Sequence, residues 1–118
     1  MALSINIQKF AATIAAGASL SGEVDLGACT LCGIVLPAAL NMGNLSFQVS
    51  VDGGLTWCEL AMAIGGYISY PMGNSLYLAV DPTLWRGINA VKVRTGAAAS
   101  PVVQAAQVII TLIARPNI

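Results

Sequence analysis

Hydrophobic and polar residues alternate along much of the chain with a period of two, the pattern of β-strands that bury one face. The clearest case is residues 45–51, where every second side chain is apolar. Asp52, Gly53 and Gly54 follow at once, and a further strand-like run occupies residues 55–60. Because glycine readily adopts the positive φ that a tight turn needs, we predict a hairpin here.

Strand-like runs recur on both sides of this hairpin. Residues 29–36 are apolar on both faces and end before a proline, so they predict a central strand covered on both sides. Residues 104–114 form the longest run, and its second apolar face also needs a cover. The other strand candidates are residues 13–20, which Gly17 interrupts, 21–26, 88–95, and the pair 67–70 and 76–80 around a Pro-Met-Gly-Asn turn.

One short helical turn is predicted at residues 81–87. Asp81 suits the position that caps a helix N-terminus, Pro82 suits the first helical position, and Gly87 can end the turn. We expect this segment to cross between strands and to project Trp85. About eight short strands separated by Gly, Pro and Asn turns predict an all-β, antiparallel β-sandwich, with the jelly roll as one candidate topology.

The length of 118 residues predicts a single domain over residues 1–118, with residues 1–12 as an N-terminal arm. Charged residues make up 8% of the chain and hydrophobic ones 57%, whereas a soluble domain carries about 25% charge. Such a chain either enters a membrane or is covered by other protein. Residues 60–80 are uncharged but contain several turn-forming residues, so we expect strands there and no membrane partner.

The N-terminus also imitates a secretion signal, but only weakly. Its apolar part is rich in alanine and glycine, and no basic cluster precedes it. We therefore do not expect a secretion signal here.

The residue types exclude several classes of chemistry. There is no histidine, which removes the commonest general base and metal ligand, so we expect no enzyme and no catalytic residue. Five basic residues are scattered and balanced by five acidic ones, so no nucleic-acid partner is expected. Phosphate-binding and calcium-binding patterns are also missing, and we expect no cofactor and no metal.

Three cysteines form neither a closed disulfide framework nor a zinc site. Cys29 and Cys32 have the CxxC spacing, but Cys58 is the only further cysteine, and a structural zinc ion requires four ligands. The first two lie in an apolar run, so we interpret them as small buried hydrophobic residues.

The two tryptophans are the candidate contact residues. Trp57 follows the predicted hairpin turn, and Trp85 lies on the crossing segment beside Arg86. Packing in the core is the first interpretation for an isolated tryptophan in a small β protein. A protein interface, or a platform on which a sugar ring stacks, are the alternatives for Trp57, Trp85 and Arg86.

Four segments together carry a resemblance to a known family. They are residues 16–22 (AGASLSG), 31–37 (LCGIVLP), 45–54 (LSFQVSVDGG) and 91–96 (VKVRTG). Their order and spacing resemble small β-sandwich virion proteins of tailed bacteriophages over residues 13–115. The chain departs from the family's pattern at Leu40, where an aromatic residue is usual.

The resemblance implies a capsid decoration or cement protein, made in the host cytoplasm and located on the capsid surface of the virion. Such a protein binds the assembled major capsid protein shell and stabilises it by mass action. A symmetric dimer or trimer is the expected presentation. An exposed sheet edge, at residues 6–11 or 101–107, would add a strand to a neighbour.

Two alternatives stay open. One is a tail, baseplate or fibre component that contacts carbohydrate or another host-surface group through Trp57 or Trp85. The other is a secreted sugar-binding module outside any virus. In all of these readings the chain binds rather than catalyses.

Overall fold

Two antiparallel β-sheets pack face to face in the computed structural model, which describes residues 7–38, 40 and 43–116. Sheet 1 has the strand order β1-β9-β3-β7, and sheet 2 has the order β2-β8-β4-β5, with β6 also paired to β4. A 3-10 helix, Pro82–Trp85, lies between β7 and β8. The strands are β1 (Gln8–Ile14), β2 (Val24–Asp25), β3 (Cys29–Val35), β4 (Asn44–Ser50), β5 (Cys58–Glu59), β6 (Tyr70–Pro71), β7 (Tyr77–Ala79), β8 (Ala90–Thr95) and β9 (Val108–Pro116).

The strand pairs are nested within one another. The first strand pairs with the last, β2 with β8, β3 with β7, and β4 with β5, all antiparallel. Because β5 and β6 both pair with β4, they act as one interrupted strand, which leaves eight. Nested pairs divided between two sheets define the jelly roll. The predicted all-β sandwich is therefore confirmed, and its topology is the jelly roll.

The core lies between the two sheets and follows the period-two alternation. On β4, Leu45, Phe47 and Val49 point inward, and on β8 Val91 and Val93 do the same. The inward face of sheet 1 carries a matching set of fully buried aliphatic residues, Ala12, Ile14, Leu31, Ile34, Ile110 and Leu112. These two layers bury the apolar surface that drives folding.

The predicted hairpin and helical turn are both present. Gln48 of β4 pairs with Glu59 of β5, and Gly53 in the connecting loop has a φ of 74°. That loop spans residues 51–57, so it is longer than a two-residue turn. The side chain of Asp81 caps the 3-10 helix by accepting a hydrogen bond of 3.0 Å from the Thr83 backbone N–H.

The N-terminal segment differs from expectation. Residues 8–12 were expected in a free arm, but they belong to β1, which pairs with β9 from Gln8–Ala114 to Ile14–Val108. Inward-facing Ala12 and Ile14 are fully buried, so core packing fixes this strand. Residues 15–19 form a turn instead of the expected strand, because Gly17 has a φ of 83°. Residues 1–6 lie outside the described residues.

The Pro-Met-Gly-Asn turn connects the two sheets, because β6 pairs with β4 in sheet 2 while β7 pairs with β3 in sheet 1. One further expectation needs correction. Residues 101–107 are not a free sheet edge, because Pro101 bridges to Gly96 and the Gln104 N–H donates to the Ala18 carbonyl over 2.9 Å.

Candidate functional site

Trp85 is a core residue and offers no surface for a ligand. Its side chain is fully buried, with its ring 5.0 Å from the Phe47 ring in an edge-to-face arrangement. Its indole N–H donates to the Tyr70 hydroxyl over 3.3 Å. The capped 3-10 helix turns Trp85 inward and leaves Arg86 exposed. The core interpretation therefore holds for Trp85, and the alternative of an interface or sugar contact does not.

Trp57 is half-buried in the loop that leads into β5. The Lys92 ammonium lies 4.5 Å from the centre of its ring, a cation–π contact that fixes the position of both side chains. One side of the indole is therefore occupied from within the protein. Trp57 and Arg86 keep their place as candidate contact residues, but they do not form one site with Trp85.

The outer face of sheet 1 is a broad apolar surface. Inward and outward side chains alternate, so the neighbours of the buried residues on each strand point to solvent. Strand register aligns one row of outward residues across all four strands: Ala11, Thr111, Val35 and Tyr77. Val35 is 37% exposed, Tyr77 59%, and Ile109 beside this row 47%. This is the second apolar face that residues 104–114 predicted.

Tyr77 extends over this face instead of pointing away from it. A Cβ atom at Gly33 would collide with the Tyr77 hydroxyl group, so only glycine at that position lets the ring lie across β3. Gly33 pairs with Ala79 and Ile113, both of which also face outward. The tyrosine therefore adds its ring to the apolar face.

Charge is nearly missing from this surface. The four strands of sheet 1 contain two charged residues, Lys9 and Arg115, and no acidic one. Lys9 pairs with Ile113, two positions from Arg115 on β9, so both lie toward one end of the sheet. The rest of the face has little solvation free energy to lose when it is covered.

The outer face of sheet 2 has the opposite character. Arg94 of β8 is 6% exposed, although the alternation predicts a solvated position. Its Nε donates to the Ser46 hydroxyl over 2.9 Å, and both terminal nitrogens donate to the Glu59 carboxylate. Gln48 donates to the same carboxylate over 3.3 Å. The hydrogen bonds from Arg94 hold the pKa of Glu59 below its ordinary value.

A cavity of about 250 Å³ opens beside this ion pair. The Glu59 and Arg94 side chains form part of its wall, and the ring of Tyr67, which is 65% exposed, stands among the lining residues. Sequence reasoning missed this site, because Glu59 and Arg94 are 35 positions apart and only the pairing of β5, β4 and β8 brings them together. Among the residues that the structure describes, the lining is Asn44, Ser46, Glu59, Leu60, Tyr67, Ser69, Arg94, Gly96, Ala97 and Ala98.

The cysteines are free thiols in positions of differing exposure. Cys29 and Cys32 are half-buried and Cys58 is exposed. Burial raises the pKa of the Cys32 thiol, which lies 3.4 Å from the Ile113 carbonyl oxygen. Within residues 7–38, 40 and 43–116, no group of three or more His, Cys, Asp or Glu side chains could hold a metal ion.

Comparison of the chain with models of known protein families, with curated proteins and with solved structures found no match. In the part of the chain that the structure describes, no helix is long and apolar enough to cross a membrane. The apolar face of sheet 1 and the polar cavity of sheet 2 are therefore the features on which a function can be based.

Proposed function

We propose that this chain is a structural protein of a tailed-phage virion, of the capsid decoration or cement type. It binds the assembled major capsid protein shell through the outer face of sheet 1. The observation that carries this proposal is the row of apolar and small residues across four strands that have no acidic residue. A protein that binds the assembled shell alone stabilises that state by mass action.

The size of the face sets the strength of one contact. Strands lie about 4.8 Å apart and rise about 3.3 Å per residue, so seven residues on each of β1, β9 and β3, together with the short β7 (Tyr77–Ala79), give a surface of about 380 Å². A stable interface buries about 800 Å² on each partner. One copy therefore binds weakly, and firm attachment requires copies that are linked to one another.

The β1 strand provides a link between copies. It lies at the edge of sheet 1, and its seven residues contain no proline and pair with β9 without a register shift. Its free edge can add a strand from a second copy. A two-fold pairing centred on Ala11 places Lys9 opposite Thr13 of the second copy, so like charges do not meet. Of the dimer and trimer expected from sequence, this pairing favours the dimer.

Cosedimentation with capsids tests the docking face. Capsids assembled from the major capsid protein of the same genome are mixed with the wild-type protein and with Val35→Lys and Ile109→Lys variants. Each substitution places a charge on the apolar face, so we expect the wild type to pellet with capsids and both variants to stay in solution.

Leu55→Lys is the matched control for this experiment. Leu55 is 85% exposed in the loop between β4 and β5, away from sheet 1, so this variant is expected to bind like the wild type. Failure of the wild type to bind capsids would overturn the proposed function. Undiminished binding by both face variants would overturn the assignment of the face.

The number of copies per virion separates this proposal from its alternative. Quantitative mass spectrometry of purified particles is expected to give a copy number comparable with that of the major capsid protein. A copy number at the level of one vertex assembly would instead indicate a tail, baseplate or fibre component. Absence from the particle would contradict both.

A further inference from the structure

The cavity on sheet 2 combines two fixed charges of opposite sign. Glu59 and Arg94 neutralise each other through two hydrogen bonds between the guanidinium and the carboxylate. Their environment is ordered further, because Ser46 accepts from Arg94 and donates to the Gly96 carbonyl over 2.6 Å. A site without net charge gives no electrostatic preference for an anion or a cation. Its ligand is therefore expected to be uncharged.

The cavity wall still contains hydrogen-bond donors and acceptors that are available to a ligand. An arginine side chain carries five N–H groups and a carboxylate has about four acceptor positions. The hydrogen bonds of Arg94 to Ser46 and Glu59 use three of those N–H groups, and Glu59 accepts three bonds in all, counting the one from Gln48. Exposed Ser69 and Asn44 add a hydroxyl and an amide. Closely spaced donors and acceptors of this kind match a ligand with several hydroxyl groups.

Tyr67 adds an exposed aromatic surface on a turn whose backbone is fixed. It bridges to Ala61, and the turn between them is closed by hydrogen bonds of 2.9 Å that join Met62 to Gly65 and to Gly66. Both glycines have positive φ, the conformation such a tight turn requires. The backbone of Tyr67 is thereby fixed before any ligand arrives, which lowers the entropic cost of binding.

The volume of the cavity is sufficient for one ring. A cavity of about 150 Å³ holds a benzene molecule, so the 250 Å³ available here is sufficient for a six-membered sugar ring. We propose that this cavity binds a single uncharged hexose-type sugar ring, such as the end of a host-surface glycan, with Tyr67 against its apolar face. The site lies on the sheet opposite the apolar face, so both surfaces can be occupied together.

The test is an amide NMR titration of the full chain with methyl glycosides of glucose, galactose, mannose and N-acetylglucosamine. At least one glycoside is expected to bind with a Kd of about 1 mM. Its shifts are expected in the lining segments 44–46, 59–60, 67–69 and 94–98, and not in sheet 1. Tyr67→Ala is expected to bind about tenfold more weakly, since it removes the aromatic contact.

Ile64→Ala is the matched control, because Ile64 is 91% exposed on the same turn and is not part of the cavity lining. It is expected to bind like the wild type. Ser69→Ala provides a second variant, in which loss of a hydroxyl weakens binding without removing the ring. Unchanged melting curves verify that each variant is folded.

Three results would overturn the proposal: no shift with any glycoside at about ten times the expected Kd, shifts outside the cavity, or equal binding by Tyr67→Ala. Tighter binding of an acidic sugar than of its neutral counterpart would contradict the inferred neutrality. The titration involves no capsid, so its failure leaves the proposed shell binding untouched, and failed cosedimentation leaves the sugar site untouched.

Discussion

Replacement of Phe47 by alanine removes the centre of the core. Phe47 is 1% exposed and makes edge-to-face contacts with Trp85, at 5.0 Å, and Tyr70, at 5.5 Å. Truncation of a buried phenylalanine costs about 3–5 kcal/mol, and each aromatic pair contributes about 0.5–1.5 kcal/mol. Because two such pairs are lost together, we expect a loss near the upper end, about 4–5 kcal/mol.

Urea denaturation followed by tryptophan fluorescence measures this loss, and Trp85 reports directly on the site. In thermal denaturation of a chain of this length, the same loss is expected to lower Tm by about 12–20 °C. Phe47→Leu is the control, since it keeps most of the volume and is expected to cost about 1–2 kcal/mol. A loss below about 1 kcal/mol for Phe47→Ala would refute both the inward orientation of this residue and the packing of the aromatic cluster.

Three further predictions concern the polar face and its turns. Gly96→Ala is expected to cost about 2–4 kcal/mol in urea denaturation, because φ is 94° and a Cβ would lie 2.5 Å from the Val102 backbone nitrogen; an unchanged midpoint would contradict this turn. Glu59→Gln leaves the guanidinium of Arg94 buried without its counter-charge. Since Glu59 itself is 30% exposed, we expect the free energy of unfolding to fall by about 2–3 kcal/mol, less than the full cost of breaking a buried ion pair. A double-mutant cycle with Arg94→Met that shows no coupling between the two residues would refute this prediction. Hydrogen bonds from Thr56 and Ser50 lower the pKa of Asp52 from 3.8 to about 2. The wild type is therefore expected to be more stable than Asp52→Asn above pH 3.8, and this difference in the free energy of unfolding is expected to disappear as the pH falls toward 2. A difference that stays constant across that range would contradict the prediction.

Local sequence patterns were sufficient to predict those elements whose structure is determined by neighbouring residues. The alternation over residues 45–51 identified β4 and its inward residues, and Asp81 with Pro82 identified the 3-10 helix. Residues 8–12 of β1 were predicted as an arm and not as a strand of the core, because the outward residues are polar or small and alanine gives little contrast between the two faces. Its partner is β9, about a hundred residues away, and no local pattern records that pairing.

The candidate sites show the same division. A second apolar face was predictable from residues 104–114, since both sides of that run are apolar. The cavity was not, because the burial of Arg94 depends on Glu59 from another strand. The inward orientation of Trp85 likewise depends on space left between Phe47 and Tyr70. When only the folded structure brings residues together, their spacing along the sequence does not predict the contact.

The nested strand order also governs when the protein can fold. Gln8 pairs with Ala114, so sheet 1 cannot close until the residues between them have been synthesised. At about 5–20 residues per second, β1 remains without its partner for roughly 5–20 s. During that interval its backbone groups are open on both edges, as in any strand whose contacts are distant in sequence. A polysome that makes this protein therefore holds many unpaired β1 strands side by side, and the edge that we propose as the link between two copies is also exposed to premature pairing between nascent chains.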